Sequence, residues 1–472
     1  MNRFIPAIAA LLAAGAVAAE RPPNVVILLV DDMGWTGPAV YGSDLHETPN
    51  IDRFATEAVR FTDAYAAAPV CTPTRASIMT GKYPARLNMT IWHEAARNPP
   101  MNRKLIPPVV LGDLPHDEVT IAEVLHAAGY LTVHIGKWHL GEAAYYPETQ
   151  GFDINIGGTF WGAPQSFFFP YRGTQFFDKE LRYVPGLPWG QPGEYLTDRL
   201  TDEALNVIEK ASSRPFFLNM CYHTVHTPIQ GKPELVERYK GKLRPGARHK
   251  NPDYAAMVAS LDESVGRILA KIDERGLADN TVVIFTSDNG GFINNFQGVP
   301  VTDNHPLRSG KGSLYEGGVR VPLIVRWPGV TQPNSVSREP VASIDFYPTI
   351  LEITGLTGNA AHNANVDGLS LVPVLRDPGA TLSRDALYFH YPHYYQTTSP
   401  VSAVRARDWK LLEYFEDNHV ELYRLADDLS ESKDLSADAP ARARQLRDAL
   451  HSWRASVNAS MPKPNPNPNP RR

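Results

Sequence analysis

Unbroken apolar segments recur along most of the chain. They cover residues 24–32, 130–137, 215–222, 281–291 and 321–327, and several are rich in valine and isoleucine. A strand that reads as a continuous apolar run is typical of a parallel sheet that is buried on both faces. We therefore predict that these segments are strands of one mainly parallel sheet.

Amphipathic segments lie between these strands, at residues 120–129, 198–211 and 253–276. In the longest of them, apolar residues recur every three or four positions and a glycine follows as a stop signal. Alternating strands and helices of this kind predict an α/β fold.

The pattern changes after residue 370. Residues 401–415 and 420–425 have the character of antiparallel strands, and residues 441–455 have that of a closing amphipathic helix. We predict a smaller C-terminal α+β subdomain over residues 371–457. The last residues, 458–472, are rich in proline and asparagine, a composition that predicts disorder.

The first 19 residues read as a secretory signal peptide. An arginine precedes an apolar run too short to span a bilayer, and small residues then offer a cleavage site. We therefore predict a main domain over residues 20–370 and a periplasmic or secreted protein. Since no later apolar run has the length of a transmembrane helix, we expect no stable membrane anchor.

Net charge argues against one class of partner, and the cysteine content raises the question of a disulfide. The 472-residue chain has a formal net charge of −5, with 46 Lys and Arg against 51 Asp and Glu. Nucleic-acid-binding proteins usually present a basic surface, so we expect no nucleic-acid partner. The chain has two cysteines, Cys71 and Cys221. An exported protein could join them in a disulfide.

Acidic and amide side chains follow two of the predicted strands. Asp31 and Asp32 end the first apolar segment, and Asp288 and Asn289 follow the segment that begins at residue 281. Ligands of open parallel sheets bind beyond the carboxyl ends of the strands. Oxygen ligands without histidine favour calcium or magnesium. Each pair could instead cap a following helix or turn, but two such pairs favour a metal site.

Cys71 begins the sequence "CTPTR", just before a helix predicted to start at Pro73. Backbone N–H groups and the helix dipole favour anions at such a position, and Arg75 adds a fixed cation. A cysteine in this setting would be a thiolate, which is prone to oxidation outside the cell. An unmodified cysteine nucleophile is therefore a poor match to an exported protein.

"CTPTR" also matches Cys-X-Pro-X-Arg, the sequence read by the formylglycine-generating machinery of type I sulfatases, in the alkaline phosphatase superfamily. The resemblance continues, in family order, through "PNVVILLVDDMGW", "GYLTVHIGKWHLG", "PFFLNMCYHTVHTP", "SDNGG" and "GKGSLYEGGVRVP". It implies an alkaline-phosphatase-like α/β fold, in which helices sandwich a mainly parallel sheet and a smaller α+β subdomain follows.

The resemblance also implies a modified nucleophile and a metal ion. A formylglycine-generating enzyme would oxidise Cys71 to formylglycine, whose hydrate supplies the nucleophilic hydroxyl, and Arg75 would orient that hydrate. One calcium ion would be held by residue 71 together with Asp31, Asp32, Asp288 and Asn289.

Further residues would, by the same resemblance, contact sulfate or move protons. Lys137 and Lys311 would bind sulfate oxygens. His139 would deprotonate the second hydroxyl of the hydrate. His226 would assist the leaving group, with His223 as the second choice for that role.

The resemblance predicts hydrolysis of a sulfate monoester, carried by a sulfated carbohydrate or an aryl group. The aromatic-rich segments 145–171 and 388–400 could shape a sugar pocket or could pack among themselves. A phosphonate monoester or phosphodiester hydrolase with the same nucleophile is one alternative. Another is a non-catalytic sulfoglycan-binding protein in which Cys71 keeps its thiol or pairs with Cys221.

Overall fold

The structure is a computed structural model that describes residues 21–174, 179–211 and 214–469. The signal peptide predicted at residues 1–19 lies outside this part of the chain. Among the helices of the described residues, none combines the length and the apolar character needed to cross a bilayer.

Strands and α-helices are numbered in chain order. The strands are Asn24–Val30 (β1), Val59–Phe61 (β2), Ala64–Tyr65 (β3), Leu105–Ile106 (β4), Leu131–Gly136 (β5), Ile154–Ile156 (β6), Phe216–Cys221 (β7), Thr281–Ser287 (β8), Asn295–Phe296 (β9), Val299–Pro300 (β10), Leu323–Arg326 (β11), Ser335–Ser337 (β12), Val341–Ala342 (β13), Leu387–Tyr391 (β14), Val401–Ala406 (β15), Trp409–Tyr414 (β16), Val420–Arg424 (β17) and Lys463–Pro464 (β18). The α-helices are Pro49–Thr56 (α1), Cys71–Thr80 (α2), Pro84–Leu87 (α3), His93–Arg97 (α4), Ile121–Ala127 (α5), Leu196–Lys210 (α6), Pro233–Lys240 (α7), Pro252–Glu274 (α8), Glu316–Val319 (α9), Phe346–Thr354 (α10), Ala360–Asn363 (α11), Val372–Arg376 (α12) and Pro440–Ser456 (α13).

Within the described residues, β1 lies inside an eight-stranded sheet with the order β12-β2-β11-β8-β1-β7-β5-β6. β1 is parallel to both of its neighbours, so that Val26 pairs with Leu218 of β7 and with Val283 of β8. β5 is likewise parallel to β7 and β6. The predicted mainly parallel sheet is confirmed. The strand predicted at 321–327 is the exception, since β11 runs antiparallel to β8 and β2.

Helices cover both faces of this sheet, which explains the unbroken apolar segments. Val26 and Leu28 pack into a core that includes residues of α6 and α8. Val25 and Ile27 point the other way, into a core that includes residues of α2 and α10. Because successive side chains of a strand face opposite sides, a strand between two helical layers must be apolar at every position.

A second, antiparallel sheet with the order β14-β15-β16-β17 follows in the C-terminal part. Val404, Leu411 and Leu446 pack β15, β16 and α13 into one core, which also takes in Tyr65 and Leu314 from the main domain. The predicted C-terminal antiparallel strands and closing helix are therefore confirmed. The boundary at residue 370 stays a prediction.

The C-terminal segment differs from the predicted disorder. β18 pairs antiparallel with β4, and Lys463 lies opposite Ile106. Asn465 Nδ2 donates to Met101 O at 2.9 Å and to Arg103 O at 2.7 Å. The prediction is therefore wrong for the part of this segment that the structure describes. Proline suits an edge strand because its missing N–H can face away from the partner strand, a possibility that composition alone does not reveal.

Candidate active site

The carboxyl ends of β1, β5, β7 and β8 meet at one edge of the main sheet. Because β1 lies between β7 and β8 and is parallel to both, the loops that follow these strands must lie side by side. The ionisable and amide side chains close to the strand ends in these loops include Asp31, Asp32, Lys137, His139, His223, His226, Asp288 and Asn289.

The two acidic pairs predicted from the sequence lie in direct contact. Asp32 N donates to Asp288 Oδ1 at 3.1 Å, and Asn289 Nδ2 donates to Asp32 Oδ1 at 2.8 Å. Ligand atoms of Asp31, Cys71 and Asp288 all lie within 4.8 Å of one another. These side chains are buried, so three carboxylates share one water-poor site. Such an arrangement needs positive charge close by.

Two oxygen atoms in this group have no hydrogen-bond donor among the described residues. They are Asp31 Oδ1 and Asn289 Oδ1, and both are buried. Leaving a buried polar atom without a partner costs about 1–3 kcal/mol. A carboxylate oxygen and an amide oxygen are ligands that hard divalent cations prefer. The residues present therefore fit a calcium or magnesium ion.

Arg75 and Lys137 lie against two of these carboxylates. Arg75, on α2, places Nη2 at 2.8 Å from Asp288 Oδ2, and its Nη1 donates to Lys137 O at 2.7 Å. Lys137 Nζ lies 2.8 Å from Asp31 Oδ2. Burial is the largest influence on Lys137 and would lower its pKa, but Asp31, Cys71 and Asp288 together raise the pKa of this lysine above its ordinary value. Burial raises the pKa of Asp31 well above its ordinary value.

The position of Lys137 depends on a glycine turn at the end of β5. Gly136 has a φ of 95°, and a Cβ built on it would lie 1.9 Å from Cys221 O. No other residue type fits both the backbone conformation and the approach to β7. Lys137 N then donates to the same oxygen at 2.8 Å, which fixes the start of the loop.

Asp32 contacts Lys311 and His226. Lys311 Nζ lies 2.8 Å from the Asp32 carboxylate, and His226 Nε2 lies 3.6 Å from Asp32 Oδ2. Burial alone would raise the pKa of Asp32, but Lys311 and His226 lower it below its ordinary value. Burial and Lys311 lower the pKa of His226. His226 Nδ1 donates to Thr227 O at 2.8 Å, which leaves Nε2 to act on a ligand.

Cys71 is the first residue of α2, one position inside the helix rather than just before it as predicted. Every residue of α2 is buried, and Thr72 Oγ1 donates to His139 O at 2.8 Å, which ties the helix start to the loop after β5. Both cysteines of the chain are free and buried. The structure therefore contradicts a disulfide between Cys71 and Cys221.

His139 contacts a carboxylate that the sequence analysis missed. Its Nε2 lies 2.8 Å from Oε2 of Glu94, a residue of α4. Burial lowers the pKa of His139, and Glu94 opposes that shift. The short stretch "HEAAR" resembles any exposed helical turn, so no local sequence signal marks Glu94. His139 itself has a φ of 61°, an unusual backbone conformation that tends to occur at functional sites.

A cavity of about 820 Å³ opens in front of these groups. The predicted site residues that line it are Asp32, Cys71, His139, His226 and Lys311. Glu94 also lines the cavity, and the aromatic and cationic side chains among the other lining residues are Trp92, Arg103, Arg182, Phe292, Phe296, Tyr394 and Tyr395. His223 is not among the lining residues, which favours His226 over His223 as the histidine that reaches a ligand. The volume suits a ligand of sugar size or larger.

The two aromatic-rich segments behave differently. In segment 145–171, Gly162 and Ala163 line the cavity, whereas the aromatic residues Phe167 and Tyr171 pack into the main core. In segment 388–400, Tyr394 and Tyr395 line the cavity. Thus both segments shape the pocket, the second with aromatic side chains, and the C-terminal part of the first also contributes to folding.

The family model for sulfatases matches residues 23–356, and the family model described as N-sulphoglucosamine sulphohydrolase, C-terminal, matches residues 309–456. A sulfatase of Formosa agariphila is 33% identical to the chain, over 93% of this chain and 90% of that protein. N-acetylgalactosamine-6-sulfatase of Homo sapiens is 34% identical, over 79% of this chain and 70% of that enzyme.

The solved structure of Ps i-CgsB has a TM-score of 0.77 and 29% sequence identity, and the match covers 92% of this chain and 93% of that chain. Ps i-CgsB has also been solved in complex with k-i-k-neocarrahexaose. The first family model spans well over half of the chain and includes every residue of the site at the sheet edge. The chain therefore belongs to the sulfatase family of sulfuric ester hydrolases.

Proposed function

We propose that this protein hydrolyses the sulfate monoester of a sulfated carbohydrate, with formylglycine made from Cys71 as the nucleophile and one bound calcium ion. The observation that carries the proposal is the setting of Cys71. It lies at the N-terminus of α2 and lines the cavity, and its Sγ is within 4.8 Å of ligand atoms of Asp31 and Asp288. A formylglycine-generating enzyme would convert Cys71 during maturation, and we expect an exported protein, periplasmic or secreted.

Formylglycine would supply the nucleophile of the reaction, and calcium would supply positive charge. Residue 71, as a formylglycine hydrate, would supply two hydroxyls, one as the nucleophile toward sulfur and one whose deprotonation would release sulfate. Calcium held by Asp31, Asp32, Asp288 and Asn289 would supply positive charge to the sulfate and to the attacking hydroxyl.

The cationic residues of the chain would bind the sulfate group. Lys311 lines the cavity beside Cys71, and Lys137 lies behind it against Asp31. Their ammonium groups would offset the negative charge that sulfate oxygens carry as the S–O bond breaks. The guanidinium of Arg75 contacts Asp288 through Nη2 and Lys137 O through Nη1. These two contacts fix its orientation, which suits a residue that orients the modified side chain.

The two histidines would transfer protons in different steps: His226 would act on the leaving group, and His139 would act on the second hydroxyl of residue 71. His226 lines the cavity with Nε2 3.6 Å from Asp32 Oδ2; once Nε2 is protonated beside that carboxylate, it would deliver the proton to the leaving oxygen of the substrate. His139 has one ring nitrogen bonded to Glu94 and the other without a partner among the described residues. The unpartnered nitrogen, Nδ1, would accept the proton of the second hydroxyl.

Features of the cavity wall support a carbohydrate substrate. Trp92, Tyr394 and Tyr395 offer aromatic faces, on which sugar rings pack. Arg103 lies over the Tyr394 ring at 5.7 Å and adds a positive charge at the rim. The oligosaccharide complex of Ps i-CgsB and the amino-sugar sulfatase among the relatives support the same substrate class.

The proposal is tested by comparing sulfate esters with phosphonate esters. We expect kcat/KM for 4-nitrophenyl sulfate to exceed that for 4-nitrophenyl phenylphosphonate by about 100-fold or more, since a site built for one ester rejects another strongly. Desulfation of sulfated oligosaccharides, followed as released sulfate, tests the carbohydrate part. A higher kcat/KM on the phosphonate would contradict the proposal.

His226→Ala is expected to affect substrates according to their leaving group. A sugar alkoxide leaves poorly without a proton, so kcat on a sulfated sugar should fall by about 10²–10³-fold. The effect on 4-nitrophenyl sulfate should be far smaller, because nitrophenolate leaves without protonation. The measurement is kcat on both substrates. His223→Ala serves as the comparison and should lower the two rates equally; a leaving-group dependence in His223→Ala rather than in His226→Ala would reverse the assignment.

A further inference from the structure

The Glu94 carboxylate lies at the side of the cavity, in a position set by three groups around it. Its Oε2 lies 2.8 Å from His139 Nε2, and its Oε1 accepts from Gly162 N at 3.3 Å. Arg182 Nη2 lies 3.8 Å from the same Oε1, and Arg182 Nη1 donates to Ala163 O at 3.1 Å. The carboxylate is thereby connected to the loop around residue 162 as well as to α4.

This contact decides which nitrogen of His139 carries a proton. An ionised carboxylate can only accept, so the Nε2 of a neutral imidazole must be the protonated nitrogen. Nδ1 then has a free lone pair, and it is buried without a hydrogen-bond partner in the described part of the chain. Burial lowers the pKa of His139, so the neutral ring is the favoured form.

The ring is also held on its face. A Cβ built on Gly162 would lie 2.4 Å from His139 Cε1 and 3.1 Å from Nδ1, so the backbone of residue 162 packs directly on the imidazole. The same glycine donates its N–H to Glu94. One loop therefore restricts both the imidazole and its carboxylate partner, which is how metal and catalytic histidines are commonly oriented.

We infer that Glu94 is a positioning residue for the proposed reaction: by accepting the Nε2 proton of His139, it keeps Nδ1 unprotonated and ready to accept the proton of the reacting hydroxyl. This inference rests on the function proposed above, because it assumes that His139 acts as the base. Glu94 does not itself exchange a proton with the substrate.

The charged groups that act on His139 come from several elements. Glu94 of α4 raises its pKa, whereas Lys137 of the same loop and Arg75 of α2 lower it. Burial would raise the pKa of Glu94, but His139 and Arg182 lower it overall, so Glu94 stays ionised. A base is active when deprotonated, so kcat rises with pH through the pKa of His139. Removing the Glu94 charge lowers that pKa and must move the acid limb of kcat to lower pH.

The experiment compares Glu94→Gln and Glu94→Ala with the wild-type protein on 4-nitrophenyl sulfate across pH. Glutamine can still accept from Nε2, whereas alanine cannot. We expect Glu94→Ala to lose about 10–100-fold in kcat with little change in KM, as for other partners of functional histidines. Glu94→Gln should keep most of the kcat plateau, and both variants should show the acid limb moved to lower pH.

The matched control is Glu142→Gln, which removes an exposed carboxylate that pairs with Arg97 of α4 rather than with His139. Its kcat and acid limb should be those of the wild type. An unmoved limb in both Glu94 variants, or equal kcat losses in Gln and Ala, would overturn the inference.

A readout that needs no turnover separates this inference from the proposed function. In Cys71→Ala protein labelled with ¹⁵N-histidine, the ring nitrogens of His139, assigned by their loss in His139→Gln, should show the proton on Nε2. Adding Glu94→Ala should abolish that preference. A proton on Nδ1 in the parent, or the same tautomer without Glu94, would overturn the inference even if sulfatase activity is found. If wild-type protein shows no turnover, the proposed function fails and the tautomer still decides the role of Glu94.

Discussion

Cys71→Ala is expected to lower the turnover of sulfate esters by about 10⁴-fold or more, the scale seen when a covalent nucleophile is removed. No other described side chain that lines the cavity offers a formylglycine precursor, because Cys221 lies outside the cavity. The substitution removes only a sulfur atom from a buried position at the first turn of α2, so the fold should persist. The measurement is kcat on 4-nitrophenyl sulfate together with Tm.

Two further variants sharpen this test. Cys221→Ala removes the other buried free cysteine and should retain most of the activity, since Cys221 does not line the cavity. Cys71→Ser restores one hydroxyl but not two, so it should not support repeated turnover. Multiple turnovers by Cys71→Ala, or loss of activity only in Cys221→Ala, would rule out Cys71 as the source of the nucleophile.

Removing divalent cations is expected to lower kcat by about 10³-fold, because the cation would carry much of the charge stabilisation in the site. The apoprotein should also have a lower Tm, since a ligand that binds only the folded state stabilises it. The structural basis is the pair of unpartnered oxygens, Asp31 Oδ1 and Asn289 Oδ1, beside two further carboxylates. The measurements are kcat and Tm after chelation and again after calcium is restored.

Asn289→Ala should weaken the dependence of Tm on calcium, because it removes one oxygen ligand without adding charge. Asn206→Ala, at an exposed position of α6, is the matched control and should keep the full response. Recovery with magnesium but not with calcium would correct the identity of the ion. Full activity and an unchanged Tm after exhaustive chelation would contradict a metal site.

The parts of the fold that could be predicted are those in which local sequence and tertiary position agree. β1 is buried on both faces, so its burial appears in the sequence as an unbroken apolar run. Its parallel neighbours place the residues after each strand at one edge, so Asp31 and Asp288 could be expected to meet from the sequence alone. The antiparallel direction of β11 could not be predicted, because direction depends on how the chain returns to the sheet.

The contact between Glu94 and His139 and the pairing of the C-terminal segment could not be predicted from local sequence. Glu94 reaches His139 across 45 positions of the chain, and nothing in α4 differs from an ordinary polar turn. The C-terminal residues have a composition typical of disorder, yet β18 pairs with β4, which lies far earlier in the chain. Contacts of this kind are set by tertiary packing, so they become visible only in the structure.

The mass of the peptide that contains residue 71 decides whether Cys71 becomes the nucleophile. Trypsin releases Phe61–Arg75, "FTDAYAAAPVCTPTR", from protein purified from its native host. We expect a peptide in which one oxygen replaces the sulfur and two hydrogens of Cys71, the change that converts a cysteine side chain to an aldehyde. A peptide with the mass of unmodified cysteine, or one linked to the Cys221 peptide, would show that no formylglycine is made and that the proposed nucleophile is wrong.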